Sequence, residues 1–205
     1  MILSDKEILK LQDGEKPLIT PFDESRLRGA SYDVLLDNEI TPLRESSGII
    51  DLTDQGSIDS LYQQHLKADG FVMKPGQYYL AALAESVALP SDVVAYVVPR
   101  TRYTRLGLLV ADQFCNPGYE GRLRVGLFNA SGNNIRLSSY LSIAQLVFVR
   151  LESAPSEGRL YDRQESAAYF GESDFAGARA EGSPLSESDK KLYDALINEL
   201  LGADD

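Results

Sequence analysis

Three arginines, Arg100, Arg102 and Arg105, fall within a segment of six residues that also contains Thr101. A guanidinium group donates paired hydrogen bonds that match phosphate oxygens, and a threonine hydroxyl adds one polar contact. The segment therefore favours binding of a small phosphorylated ligand. The alternative is that these arginines form ordinary ion pairs with carboxylates of the protein itself.

The charge balance limits which ligands are reasonable. The net charge is -11, so a polymeric nucleic acid would be repelled over most of the surface. A small anion remains compatible with the sequence where arginines converge. With one histidine, His65, and one cysteine, Cys115, a zinc site is not expected. This argues against the zinc-dependent deaminases, and no other metal-ligating cluster is predicted.

Neither Cys115 nor His65 is predicted to be functional. No histidine lies near Cys115 in sequence to activate its thiol, so we expect a small buried hydrophobic residue there. His65 is expected on the solvent face of a short helix. The start of the chain lacks the pattern of a signal peptide, and no apolar run approaches a membrane span. A cytoplasmic protein without membrane contact is therefore expected.

The elements that must position these residues are mainly strands. Five stretches between residues 30 and 154 are rich in β-branched and aromatic residues or alternate with period two, and turns rich in Gly, Pro and Asn separate them. They cover residues 32–36, 71–81 around a turn at 74–77, 93–98, 122–128 and 143–149. This pattern predicts a mainly β sandwich or barrel with one core.

Helices are predicted at both ends and in one insertion. Ser4 and Glu7 have the spacing of a capping box, with Leu3 and Ile8 as a hydrophobic staple, so a helix is expected to about residue 11. A second short helix is predicted over 57–67. After an irregular tail over 153–182, an amphipathic helix is expected from 188 to about 201, with an apolar stripe that docks on a surface.

Three stretches in the right order resemble the dCTP deaminase/dUTPase family, particularly its deaminase branch. They lie at 30–34, at 71–108 and at 116–146, and the start of the chain and a tail segment at 161–171 agree with them. The most specific letters are ASYDV at 30–34, KPG at 74–76, the segment RTRYTRLGL at 100–108 and NPGYEG at 116–121. The terminal helix lies outside this resemblance.

The resemblance implies a distorted β-barrel of the dUTPase-like (β-clip) type with short terminal helices, formed by residues 1–182. Residues 183–205 lie outside the resemblance, and their apolar spacing predicts an amphipathic helical extension that could bind a protein partner. The resemblance also implies a homotrimer with sites between subunits. Each site would bind a dCTP- or dUTP-type nucleotide that carries Mg²⁺, and the tail would close over it. In deaminases a carboxylate activates water to attack C4 of cytosine; in dUTPases an aspartate orients the water that attacks the α-phosphorus.

Several site positions depart from the family pattern. Arg100 and Arg105 match the phosphate-binding turn, whereas Thr101 and Arg102 stand where the family has serines. Asn116 stands where both branches have aspartate, and an amide cannot accept a proton as a general base. Loss of such a base typically costs about two to four orders of magnitude in rate.

Gly126 is the most severe departure, because it aligns with the catalytic glutamate of the deaminases. Alternation along the strand places it on one face with two arginines and a phenylalanine, opposite three core residues. The position that faces the site is therefore expected to be empty. The three core-facing residues are Leu123, Val125 and Leu127.

The tail and one loop also differ from the family pattern. Tyr161 matches a nucleotide-contacting tyrosine, although ordinary packing would explain it equally well. Ala168 replaces a phosphate-binding lysine and Glu172 replaces a glutamine, so both changes should weaken triphosphate binding. Asp112 is a candidate displaced carboxylate, but a solvated loop aspartate is the simpler interpretation.

Three functions follow from these residues. The first is a nucleotide-binding family member with lost or altered catalysis, in which Thr101, Arg105 and Asn116 hold the catalytic positions and Arg100, Arg102, Asp112 and Tyr161 complete the nucleotide contacts. The second is an active hydrolase, either a dCTP deaminase or a dUTP diphosphatase. The third is a structural or interaction trimer that uses its terminal helix for docking.

Overall fold

The computed structural model describes residues 1–44 and 49–180, together with 189, 191–192 and 194–196. Its helices are α1 (Asp5–Gln12), α2 (Gln55–Ser60) and α3 (Thr101–Thr104). Its strands are β1 (Ile19–Thr20), β2 (Leu27–Arg28), β3 (Ser31–Pro42), β4 (Leu66–Lys67), β5 (Gly70–Met73), β6 (Tyr78–Ala88), β7 (Val93–Pro99), β8 (Leu108–Val110), β9 (Gln113–Cys115), β10 (Glu120–Asn129), β11 (Ile135–Ser138) and β12 (Ser142–Arg150).

Ten of these strands form one curled antiparallel sheet. Seven follow the order β8-β10-β6-β3-β12-β7-β9, the short strands β1, β2 and β4 pair alongside, and β11 pairs with β5 separately. The pairings of β3 with β6, of β3 with β12 and of β10 with β6 each contain a register shift. Such shifts bend the strands and help the sheet to curl. The mainly β fold predicted from the sequence is confirmed.

The concave side of the sheet holds one apolar core. Leu123, Val125 and Leu127 of β10 belong to it, which confirms the predicted alternation along this strand. The core also contains Cys115, which is 3% exposed as expected. Burial raises the pKa of the Cys115 thiol to about 12, so this cysteine is neutral at physiological pH and is a packing residue.

The N-terminal helix forms where it was predicted, but its capping box does not. Ser4 is the N-cap residue, yet its side chain makes no capping hydrogen bond. Instead, the Leu3 amide donates to the Phe148 carbonyl at 2.9 Å and the Asp5 amide donates to the Gly29 carbonyl at 3.1 Å. Backbone carbonyls of neighbouring segments thus accept from the Asp5 amide at the start of the helix and from the Leu3 amide just before it. Leu3 and Ile8 are both buried.

The helix predicted over 57–67 is shorter and begins earlier. The Asp54 side chain accepts hydrogen bonds from the Gly56 and Ser57 amides, so helix α2 starts at residue 55. It ends at residue 60 because the following backbone bonds to the end of β3, where the Gln63 amide donates to the Pro42 carbonyl at 3.0 Å. The placement of His65 on a helix was therefore wrong.

The six described residues beyond 180 are helical and exposed. Leu192 is 64% exposed and Leu196 is 50% exposed, so within the described chain these two members of the apolar stripe do not reach a buried surface. The remainder of the predicted extension over 183–205 lies outside the described residues. Among the described helices, none is long and apolar enough to cross a membrane.

Candidate active site

A cavity with a volume of about 370 Å³ lies between the end of β9, strand β10 and the irregular tail. Its walls are mainly aromatic and small residues with a few polar groups. They are Tyr62, Leu80, Gln113, Phe114, Cys115, Asn116, Tyr119, Leu123, Arg124, Tyr161, Tyr169, Glu172, Ala176, Gly177 and Ala178. A cavity of this size and composition is suited to a small organic ligand.

The turn between β9 and β10 supports one side of the cavity. It places Asn116 in the wall and then bends through Gly118, whose φ of 77° suits glycine. A Cβ there would lie 2.9 Å from an Asp162 oxygen, so only glycine lets the tail approach this closely. The Tyr161 amide donates to the Pro117 carbonyl at 2.9 Å. This turn therefore anchors the start of the tail.

The tail then runs alongside β10, and the backbones of the two segments form hydrogen bonds with each other. The Gly171 amide donates to the Glu120 carbonyl at 2.8 Å, and the Arg122 amide donates to the Glu172 carbonyl at 2.8 Å. Further along, the Ala178 amide donates to the Tyr62 hydroxyl at 2.8 Å. The tail is thus fixed over the cavity by hydrogen bonds from one end of the wall to the other.

Phe175 supplies the main side-chain anchor of the tail. Its ring centroid lies 5.4 Å from that of Tyr62 and 5.3 Å from that of His65, and the Arg124 guanidinium carbon lies 5.4 Å above it. His65 is thus held in a polar and aromatic cluster, and its Nδ1 lies 2.9 Å from the Thr41 hydroxyl. Burial, the largest influence, lowers the pKa of His65.

We expect Phe175→Ala to release the tail. The substitution removes three ring contacts at once, so the region beyond Phe170 should be cleaved several times faster in limited proteolysis, followed by mass spectrometry. Phe170→Ala is the matched control, because Phe170 lies in the same tail, is 45% exposed and lies outside the cavity wall. Equal cleavage rates in the two variants would refute the anchoring role of Phe175.

A charge network centred on Glu39 of β3 reaches the cavity wall through Arg124 and Glu172. The Glu39 carboxylate is 7% exposed and lies 2.9 Å from the Lys67 ammonium, 2.7 Å from the Arg122 guanidinium and 3.3 Å from the Arg124 guanidinium. Burial alone would raise the pKa of Glu39, but the hydrogen bonds from these cations lower it to about 2.

Arg124 links this network to the tail. Its Nε donates to the Glu172 carboxylate at 2.8 Å, and its Nη2 donates to Glu39. The Arg124 side chain is 4% exposed and the Glu172 side chain is 8% exposed. Burial raises the pKa of Glu172, and the bonded Arg124 opposes that effect. A buried carboxylate that faces the cavity is therefore supplied by the tail and not by β10.

The position beside Gly126 is filled and not empty, which corrects the expectation from the sequence. A Cβ on Gly126 would lie 1.7 Å from the Tyr78 hydroxyl oxygen and 2.5 Å from the Tyr78 Cζ. Tyr78 begins β6, and its side chain leans diagonally across the strand pair to reach this point. The phenol thus occupies the space that a larger residue at position 126 would need.

The predicted phosphate-binding segment lies apart from the cavity. Arg100 pairs with the buried Asp33 at 2.9 Å and also donates to Ser142. In the single chain, Arg100 therefore forms an ion pair with a carboxylate of the protein itself, which was the alternative to phosphate binding. Thr101, Arg102 and Arg105 are exposed around helix α3, as is Asp112 between β8 and β9.

Of the residues predicted to bind nucleotide or to hold catalytic positions, the cavity wall includes only Asn116 and Tyr161. The sequence analysis did not identify Arg124 or Glu39 as residues of the site. It considered Glu172 only as a change that weakens triphosphate binding. The sequence did contain an indication for Arg124, because an arginine within a strand that also carries core residues needs a carboxylate partner when its guanidinium group is buried. Among the described residues, no group of three or more metal-ligating side chains occurs.

Comparison with known proteins agrees with this architecture. Residues 2–151 match the family model described as dCTP deaminase-like. A "dCTP deaminase, dUMP-forming" of Hydrogenobaculum sp. is 35% identical over 157 residues, which cover 76% of this chain and 86% of the relative. A "dCTP deaminase" of Natronomonas pharaonis is 31% identical over 189 residues, which cover 89% of this chain and 96% of the relative.

The fold is also similar to a solved structure. The 2'-deoxycytidine 5'-triphosphate deaminase from Agrobacterium tumefaciens superposes with a TM-score of 0.57 at 24% identity, over 72% of this chain and 47% of that chain. The match therefore spans less than half of the Agrobacterium chain and bears on the fold alone. Taken with the family match, these findings show that the chain belongs to the dCTP deaminase-like family.

Proposed function

We propose that the protein is a homotrimer that binds a pyrimidine deoxynucleotide of the dCTP or dUTP type, with Mg²⁺ carried by the triphosphate, and that it has lost the deaminase reaction. The main observation behind this proposal is that the Tyr78 phenol lies against Gly126. The glutamate that the family places at this strand position is absent, and a phenol fills the space that its side chain would occupy. Asn116 lies in the cavity wall and cannot act as a base.

The phosphate contacts are proposed to come from a neighbouring subunit. Arg102 and Arg105 are exposed on helix α3 and the residue after it, away from the cavity wall of the same chain. Two exposed guanidinium groups are free to meet a triphosphate held mainly by another copy. Arg100 would then act by fixing the start of this helix through Asp33.

A direct assay tests the loss of catalysis. The protein is incubated with dCTP and with dUTP in the presence of Mg²⁺, and release of ammonia and of pyrophosphate is measured. We expect neither product above background. Turnover comparable to that of an ordinary enzyme would overturn the proposal.

Binding is tested separately by thermal shift, since a ligand that binds only the folded state must raise the melting temperature. We expect dCTP or dUTP to raise it, and Arg105→Ala to lower the affinity about tenfold, which corresponds to about 1.4 kcal/mol. Arg136→Ala is the matched control, because Arg136 is also exposed but lies on β11. A failure of every nucleotide to stabilise the protein would favour the structural trimer instead.

One observation favours an active hydrolase as the second candidate. Glu172 lines the same cavity as Asn116, and burial raises the pKa of its carboxyl, which suits a group that exchanges protons. If turnover is found, Glu172→Gln should abolish it. The bond between Glu172 and Arg124 argues against this role, because the carboxylate is already occupied.

A further inference from the structure

Two side chains of the α2 segment, Gln55 and Tyr62, hold the last part of the described tail. The Gln55 side chain donates to the Ala178 carbonyl at 3.1 Å and accepts from the Ala180 amide at 3.0 Å. The Tyr62 hydroxyl accepts from the Ala178 amide at 2.8 Å. Both backbone polar groups of Ala178 are therefore bonded to side chains that lie 116 to 123 residues earlier in the chain.

Gly177 allows the Tyr62 ring to lie directly against the backbone of the tail. A Cβ on Gly177 would lie 2.6 Å from the Tyr62 Cε2 and 3.2 Å from its Cδ2. Gly177 does not have a positive φ, so the close approach of the ring is the reason that glycine is needed here. Any larger residue at this position would push the ring and the tail apart.

Tyr62 is the fixed side of this contact, and the tail is the side that can move. Tyr62 forms a bridge with Leu43 just after β3. The Arg44 amide also donates to the Leu61 carbonyl at 2.7 Å, which ties the neighbouring residue to the same segment. Residues 173–180 of the tail lie in neither a helix nor a strand, so their position depends on side-chain contacts such as these.

The contact between Tyr62 and Gly177 also closes part of the cavity wall. Tyr62 and residues 176–178 line the cavity of about 370 Å³. If the tail moved away from Tyr62, the cavity would be open to solvent on this side. Cys115 lines the same cavity and is 3% exposed while the contact is made.

We infer that the contact of Gln55 and Tyr62 with residues 177–180 is a gate that controls access to the cavity. All the bonds that hold this gate lie within the chain, so its opening rate would limit the exchange of any molecule that the cavity binds. The inference goes beyond the proposed function because it does not depend on the ligand. It assigns control of access to the α2 segment, and it differs from closure of the tail by contacts with a bound nucleotide.

The reaction of Cys115 with N-ethylmaleimide measures opening of the gate without any ligand. Cys115 is the single cysteine of the chain. Gly177→Ala should raise its reaction rate about tenfold, which corresponds to about 1.4 kcal/mol, because the added carbon separates the tail from Tyr62. Gly158→Ala is the matched control and should react at the wild-type rate, since Gly158 lies in the same tail and a Cβ there would meet nothing within 4 Å.

Tyr62→Phe is a milder second variant, because it removes only the hydroxyl that accepts from the Ala178 amide. It should raise the rate about fivefold, which corresponds to about 1 kcal/mol, the usual net value of one hydrogen bond. Rates are compared between variants, so the raised pKa of the Cys115 thiol affects all of them equally.

Urea separates opening of the gate from unfolding of the whole chain. Opening of the gate exposes little surface, so the wild-type rate should change little with urea well below the unfolding midpoint. A rate that rises with urea as steeply as global unfolding would overturn the inference, and so would equal rates in the wild type, Gly177→Ala and Tyr62→Phe. None of these measurements uses a nucleotide, so their outcome is independent of the proposed function.

Discussion

Gly126→Ala is expected to lower the free energy of unfolding by about 1–3 kcal/mol, the usual cost of inserting a methyl group into occupied space. The reason is the Tyr78 phenol, whose hydroxyl oxygen would lie 1.7 Å from the added carbon. The Tyr78 side chain, which is 38% exposed, must move away from β10 to make room for the added methyl group. Urea denaturation of the variant and the wild type measures the difference.

The matched test is a double-mutant cycle with Tyr78→Ala. Removal of the phenol opens the space, so Gly126→Ala should cost much less in that background, with a coupling energy of about 1 kcal/mol or more. Additive effects would show that the ring does not occupy the position beside Gly126. In that case the support for lost deamination would be reduced to the residue types at positions 126 and 116.

Glu39→Gln is expected to have an even larger effect, about 3–5 kcal/mol at neutral pH. It removes the carboxylate that Lys67, Arg122 and Arg124 share. Three cations are then left with only the two carboxylates of Asp37 and Glu172, so the cluster carries an uncompensated positive charge. Glu165→Gln is the control, because Glu165 is an exposed carboxylate of the tail. A loss of less than about 0.5 kcal/mol, the usual limit for surface substitutions, would contradict the central role of Glu39.

The same substitution should change the acid response of the protein. The folded-state pKa of Glu39 is lowered from 4.5 to about 2, so its contribution is fully present above pH 4.5. It is lost progressively as the pH falls from about 4.5 to about 2, and it amounts to about 3 kcal/mol. Urea denaturation across this pH range should show a steeper loss of stability in the wild type than in Glu39→Gln.

The strands could be predicted from the sequence because their signal is local. The alternation at 122–128 placed Leu123, Val125 and Leu127 in the core, and the structure agrees. The start of helix α2 was misjudged because the cap residue, Asp54, was overlooked. The predicted capping box at Ser4 was wrong, since the Ser4 side chain makes no capping hydrogen bond. The Leu3 and Asp5 amides instead bond to carbonyls of distant segments, which a local sequence motif does not indicate.

The site was predicted only in part, since its main bonds join distant positions. Asn116 and Tyr161 were found through the resemblance to a family, and both line the cavity. The bond between Arg124 and Glu172 spans 48 residues, and the approach of Tyr78 to Gly126 depends on the register of two strands. Neither can be derived from periodicity, because period-two alternation gives the face of a residue but not its partner.

The tail forms part of the wall that a bound molecule would touch, and this has a kinetic consequence. Ligand occupancy and tail closure must favour each other by the same factor, because each contributes to a single thermodynamic cycle. A ligand in the cavity would lose its contacts with Tyr169 and Glu172 when the tail detaches from β10. It would therefore dissociate faster from the open form of the protein than from the closed form.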